Sequence, residues 1–130
     1  MDIQRIKNFW VTEADEALKV AGHLFEKEDY SYALFFGHLS LEKILKAVYV
    51  IKKGEHAPYI HDLEKLAVLA SIVLSDERKN ELQRISRFNL EARYPDDKRE
   101  FRALCTKEFT EKEMQKIEEI YQWLKSMIEQ

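Results

Sequence analysis

The chain has 130 residues, 45% of them hydrophobic and 35% charged, with 21 basic and 24 acidic side chains giving a formal net charge of −3. That is apolar material for one packed core under a charged surface, so residues 1–130 read as a single domain. Three glycines and two prolines are too few for the turns of an all-β domain. The missing basic excess argues against a general nucleic-acid binder, and the lone Cys105 excludes an internal disulfide framework or a cysteine-based zinc site.

From Ile3 to about Lys27, apolar residues fall at Ile3, Ile6, Trp10, Ala14, Ala17, Ala21 and Leu24, one stripe of a long helix. Asp29 is the N-cap candidate of a second helix, YSYALFFGHLSLEKILKAVYVIKK, which Gly54 is placed to end in a left-handed conformation. This helix is apolar around most of its circumference, as expected of a central element. Its polar exceptions are His38, Ser40, Glu42, Lys43 and Lys46, which must face either solvent or a polar groove.

The loop EHAPYIHD leads to a shorter helix with Leu63, Leu66, Ala70 and Val73 inward, broken at Ser75–Asp76. A fourth helix carries Leu82, Ile85 and Phe88 inward and stops before Pro95, because a residue preceding proline is pushed out of helical geometry. Tyr94 to Phe109 reads as a charged loop. Thr110 and Glu113 form a capping box opening the last helix, whose inward residues are Met114, Ile117, Ile120/Tyr121, Leu124 and Met127/Ile128. The expected fold is all-α, an up-and-down bundle of four long helices and one short one. No run of about 18 apolar residues offers a membrane span. The opening MDIQRIKNFW lacks the apolar stretch of a signal peptide, so a cytoplasmic protein is expected.

Few constellations carry chemistry. A di-iron bundle needs Glu-x-x-His, but Val20, Phe35, Lys53 and Pro58 stand three residues before the four histidines, so no metal or other cofactor is expected. Cys105 has no histidine near it in sequence, and no glycine-rich phosphate loop exists. The arginines are unusual: five of seven (Arg84, Arg87, Arg93, Arg99, Arg102) lie between residues 84 and 102. A planar guanidinium binds phosphate bidentately and stacks on bases, which points to an anion or nucleotide site. The alternative is surface ion pairing with the interleaved Glu91, Asp96, Asp97 and Glu100. Glu42 and Lys46 are likewise either a simple i, i+4 helix pair or part of a polar groove beside His38.

The segments LFEKEDYSYALFFGHLSLEKILKA, APYIHDLEKL and RISRFNLEARYPDD, in that order, resemble the HEPN domain (higher eukaryotes and prokaryotes nucleotide-binding) from about Ala17 to Asp97. The resemblance implies a small helical bundle that dimerises, often paired with a minimal nucleotidyltransferase as a toxin–antitoxin module. A large subset of the family it resembles are metal-independent ribonucleases marked by Arg-x(4–6)-His at the dimer interface, in which arginine stabilises phosphorane-like charge and histidine moves the 2′-hydroxyl proton. This sequence departs from that motif: no histidine follows Arg84 or Arg87 at the required spacing, and Arg93, which cannot act as a base near neutral pH, stands in the histidine's place. The expectation is therefore a noncatalytic nucleotide or RNA-phosphate groove. Its lining would be Arg87, Asn89, Arg93 and Tyr94 with Glu42, Lys43 and His61, in a homodimer acting beside a nucleotidyltransferase partner. The rivals are a weak ribonuclease using Arg87 with His61 or His38, and a purely structural dimerisation domain.

Overall fold

A computed structural model describes residues 1–94 and 99–129. Among these the chain is all-α, with α1 (Ile3–Glu26), α2 (Tyr30–Lys53), α3 (Leu63–Leu69), α4 (Asp76–Arg93), α5 (Glu100–Leu104) and α6 (Lys107–Ile128). The four long helices form the bundle, and α2 touches all five others. Its side chains Leu34, Leu41, Ile44 and Leu45 are completely buried, so its nearly uniform apolarity reflects neighbours on every side. At Gly37 a Cβ would come within 2.7 Å of the Ile117 Cδ1, marking the closest approach of α2 and α6.

α1 buries Ile6, Ala14, Ala17 and Ala21, and the three alanines let it lie close along α2. The two helices connect in a few residues because α1 ends in a paired-bond cap. Glu28 is left-handed (φ 66°), its amide donates to the Phe25 carbonyl, and the Asp29 amide donates to the Leu24 carbonyl. Asp29 does occupy the N-cap position of α2, but its side chain accepts no capping bond. With ψ at 66° it is serving the end of α1 as well as the start of α2, and the carboxylate is not brought over the helix amides. Gly54 ends α2 as expected, at φ 67°.

The same cap explains one departure in the short helix. Ser71 is left-handed (φ 61°), and the Ile72 amide reaches back to the Ala67 carbonyl. This shifts the phase by a residue, so Ile72 is buried and Val73, expected inward, is 91% exposed. α4 starts under the Ser75 cap, buries Leu82, Ile85 and Phe88, and ends at Arg93. The role assigned to Pro95, and any pairing by Asp96 and Asp97, lie outside the described residues.

Two expectations fail beyond α4. The supposed loop contains α5, anchored by Phe101 packing on Phe88 with ring centroids 5.6 Å apart. The last helix also begins a turn early: Thr106, not Thr110, is its N-cap, accepting from the Phe109 amide at 3.1 Å. Thr110 is fully buried with no partner for its hydroxyl, and Glu113 pairs with Arg84 instead of closing a capping box. Starting at Thr106 turns the Thr110 side chain inward, which overrides the local T-x-x-E signal. Thr106→Ala is accordingly expected to lose about 1 kcal/mol of stability. Thr110→Val, which removes an unsatisfied buried hydroxyl while keeping the shape, should be neutral or stabilising in the same urea titration.

Candidate functional site

His38, Glu42 and Lys46 recur every four residues along α2 and so share one face. All three are buried, at 0%, 5% and 6% exposure. Burying polar groups in a core is costly unless they bond to one another, and here they do. Glu42 Oε2 accepts from Lys46 Nζ at 3.3 Å, and the ammonium lies 5.1 Å from the Trp10 ring centroid and 5.7 Å from that of Tyr59. These aromatic faces help an ammonium that has little access to water.

The loop after α2 docks on this face through His61. The His61 carbonyl accepts from His38 Nε2 at 3.1 Å, which fixes the His38 proton on that nitrogen and leaves Nδ1 buried without a partner. Burial, the largest influence, lowers the His38 pKa from its ordinary 6.5, against the opposing pull of the His61 carbonyl and Glu42. The neutral ring is thus the one that fits. Well above pH 6.5 His38 is neutral in both folded and unfolded protein, and as pH falls through 6.5 the unfolded state takes up the proton first, which costs stability. Relative to His38→Gln, the wild type is expected to lose stability as pH falls from 6.5 towards the lowered folded value, read as diverging denaturation midpoints.

The His61 ring is held too. Its Nδ1 is 2.8 Å from Glu42 Oε1, and because a carboxylate only accepts, Nδ1 donates and Nε2 remains open. The side chain is 55% exposed although its carboxylate partner is buried. Glu42 therefore spends one oxygen on Lys46 and the other on His61.

α4 supplies the opposite wall. The Leu63 amide donates to Ser86 Oγ at 2.9 Å and Gln83 Nε2 donates to Glu64 Oε1 at 2.8 Å, tying the start of α3 to α4. These bonds place His61 and Asp62 beside Arg87 around a cavity of about 400 Å³, also lined by Gln83, Ser86, Asn89 and Leu90. Arg87 is exposed and makes no ion pair among the described residues, leaving its guanidinium available.

The expected site residues thus divide. His61, Arg87 and Asn89 meet at this cavity, with Glu42 behind His61. Lys43 turns towards α1 and lies 3.9 Å from Glu13. Tyr94 lines a neighbouring cavity of about 300 Å³ with Glu91, Glu100, Phe101 and Leu104, and Arg93 stacks near it at 5.4 Å. Among the other arginines, Arg84 makes two bonds to Glu113, at 2.8 and 3.1 Å. Arg102 bonds the Tyr32 hydroxyl at 2.7 Å. Both are therefore engaged within the protein, away from the cavity that Arg87 lines.

Sequence reasoning missed Gln83, Ser86 and Asp62. The signal for the first two was available, since 83, 86, 87 and 90 follow helical spacing and share a face. Cys105, expected in a charged loop, follows α5 and is buried, and burial together with Glu91 pushes its thiol up to about 11, which makes it a poor nucleophile. Among the described residues no group of three or more His, Cys, Asp or Glu side chains is arranged for a metal ion. No helix of the described residues is long and apolar enough to cross a membrane.

What the fold and cavity define is a helical bundle whose central helix carries a buried polar row beneath a histidine loop, facing an arginine on α4. A family model described as the HEPN domain matches residues 8–127, nearly the whole chain, and the chain belongs to that family. Comparison with curated proteins and with solved structures gives no match. Membership carries a nucleotide- or RNA-related function in general.

Proposed function

We propose that the protein binds the phosphate of a nucleotide or RNA in the cavity between α4 and the α2–α3 loop, with Arg87 as the main anion contact and His61 beside it. The carrying observation is the exposed Arg87, without an ion pair among the described residues, sharing a cavity with a histidine whose ring is already oriented by a buried carboxylate. A guanidinium free of ion pairs needs no rearrangement to receive phosphate, and a net charge of −3 suits one local contact better than a broad basic face. Arg93, at the end of α4, serves as a second phosphate contact for a ligand longer than one nucleotide. Lys43, engaged with Glu13, takes no part. In keeping with the family resemblance, the protein works as a homodimer beside a minimal nucleotidyltransferase in a toxin–antitoxin type module.

Isothermal titration with ATP and a short RNA tests the binding reading. The Arg87→Ala/Arg93→Ala variant should give little heat where the wild type gives a clear isotherm; equal heats overturn it.

The Glu42–His61 pair favours a second reading, a metal-independent ribonuclease. With Nδ1 donating to Glu42, the His61 Nε2 can take the proton of a 2′-hydroxyl as its oxygen bonds to phosphorus, while Arg87 stabilises the charge on the phosphoryl oxygens. The 5′-oxygen leaves, taking a proton from water, to give a 2′,3′-cyclic phosphate and a 5′-hydroxyl. RNA cleavage lost in His61→Ala, and absent on a 2′-deoxy substrate, would favour this reading; intact RNA after prolonged incubation would refute it.

A further inference from the structure

A second cavity, of about 600 Å³, opens against the first turns of α1 and is lined by Arg5, Phe9, Trp10 and Glu13 together with His56. Phe9 is 54% exposed, and its ring stands edge-on to that of Trp10 with centroids 5.1 Å apart. His56 belongs to the α2–α3 loop, the same loop that gives His61 to the phosphate cavity, so one loop borders both. Between the two histidines stands Tyr59, which is 98% exposed.

Tyr59 sits on a pinned backbone. The Ile60 amide donates to the Pro58 carbonyl at 3.0 Å, a three-residue turn centred on Tyr59, and the adjacent His61 is held by His38 and Glu42. Lys46 joins the aromatic groups to the site already described. Its ammonium lies 5.1 Å from the Trp10 ring and 5.7 Å from the Tyr59 ring, and its partner Glu42 bonds His61. Two side chains therefore separate the aromatic surface from the phosphate cavity.

The charges indicate what covers these rings. Arg5 is exposed and makes no ion pair among the described residues, while Glu13 is offset by Lys43 at 3.9 Å. Open aromatic faces beside an unopposed guanidinium match a strand of unpaired nucleotides, which brings a planar base for each ring and a phosphate for the cation. An apolar protein segment would satisfy the rings and leave Arg5 unused.

We propose that the ligand is a single strand of RNA several nucleotides long, with Phe9 and Tyr59 stacking its bases while Arg87 holds a phosphate. The proposal rests on the phosphate reading above and adds a stacking surface to it. Isothermal titration of the intact protein with AMP and with a four-residue oligoadenylate tests it. Wild type is expected to bind the tetranucleotide about tenfold or more tightly than AMP. Phe9→Leu/Tyr59→Leu keeps apolar bulk at two exposed positions and removes the π faces. This variant should bring the tetranucleotide down towards AMP and leave AMP itself unchanged.

Equal affinity of wild type for the two ligands, or a variant that keeps the full gain, would overturn stacking and leave the phosphate site standing. A variant that keeps the gain but sediments as a smaller species would overturn it too, and would assign this face to a second copy of the chain. Failure of both ligands to bind wild type would overturn both readings.

Discussion

Replacing Glu42 with alanine is expected to cost about 3–5 kcal/mol of unfolding free energy, the largest effect of any single change to the polar row. Lys46 is 6% exposed, and without Glu42 its ammonium keeps only the Trp10 and Tyr59 faces. His61 loses the bond that orients its ring at the same time. Chemical denaturation reads the loss as a lower midpoint with an unchanged slope. Removing both partners behaves differently. Glu42→Leu/Lys46→Met leaves no unpaired charge in the row and should recover most of the stability, because a buried pair returns little beyond its own desolvation cost. The double variant still lacks the His61 anchor, so it should bind phosphate poorly although it is folded. That separation of stability from binding distinguishes a positioning role for Glu42 from a purely structural one.

Arg87→Ala is expected to do the reverse. Its side chain is exposed and bonded to nothing among the described residues, so stability should change by less than about 0.5 kcal/mol. Anion affinity should fall by about tenfold or more, the loss expected of a charge-assisted hydrogen bond. Arg84 stands one turn earlier on α4 and is the natural control. Its two bonds to the largely buried Glu113 carboxylate hold α4 to α6, so Arg84→Ala should destabilise the fold while leaving anion affinity near the wild-type value. If both variants lost affinity equally, the arginines would be acting as a diffuse positive field and not as one contact.

The contrast between these two arginines shows where the sequence was legible and where it stopped. The concentration of arginine between 84 and 102 is visible in the chain, but the bond from Arg84 to Glu113 spans 29 residues, and no local spacing announces it. The bundle itself was readable because its long helices carry continuous apolar stripes, and α2 declared its central place by being apolar on nearly all sides. Local signals misled where two candidates competed. Thr106 and Thr110 both suit a helix start, and only the packing of the inner face selects the earlier one. Val73 kept the apolar period on paper, yet a left-handed Ser71 broke the phase. The polar row of His38, Glu42 and Lys46 was evident from its spacing. That His61, 19 residues beyond Glu42, would return to cap it depends on the path of a loop.

The central claim is that one cavity, with Arg87, His61 and Asn89 at its wall, receives the ligand. The most direct measurement is a side-chain NMR titration of ¹⁵N-labelled protein with AMP, following the Arg87 Nε–H, the His61 ring and the Asn89 carboxamide signals against Arg84 and Arg102. The first three are expected to move together on a single saturation curve while the last two stay in place. Shifts centred on Arg84 or Arg102, or no shift at any of these groups, would contradict it.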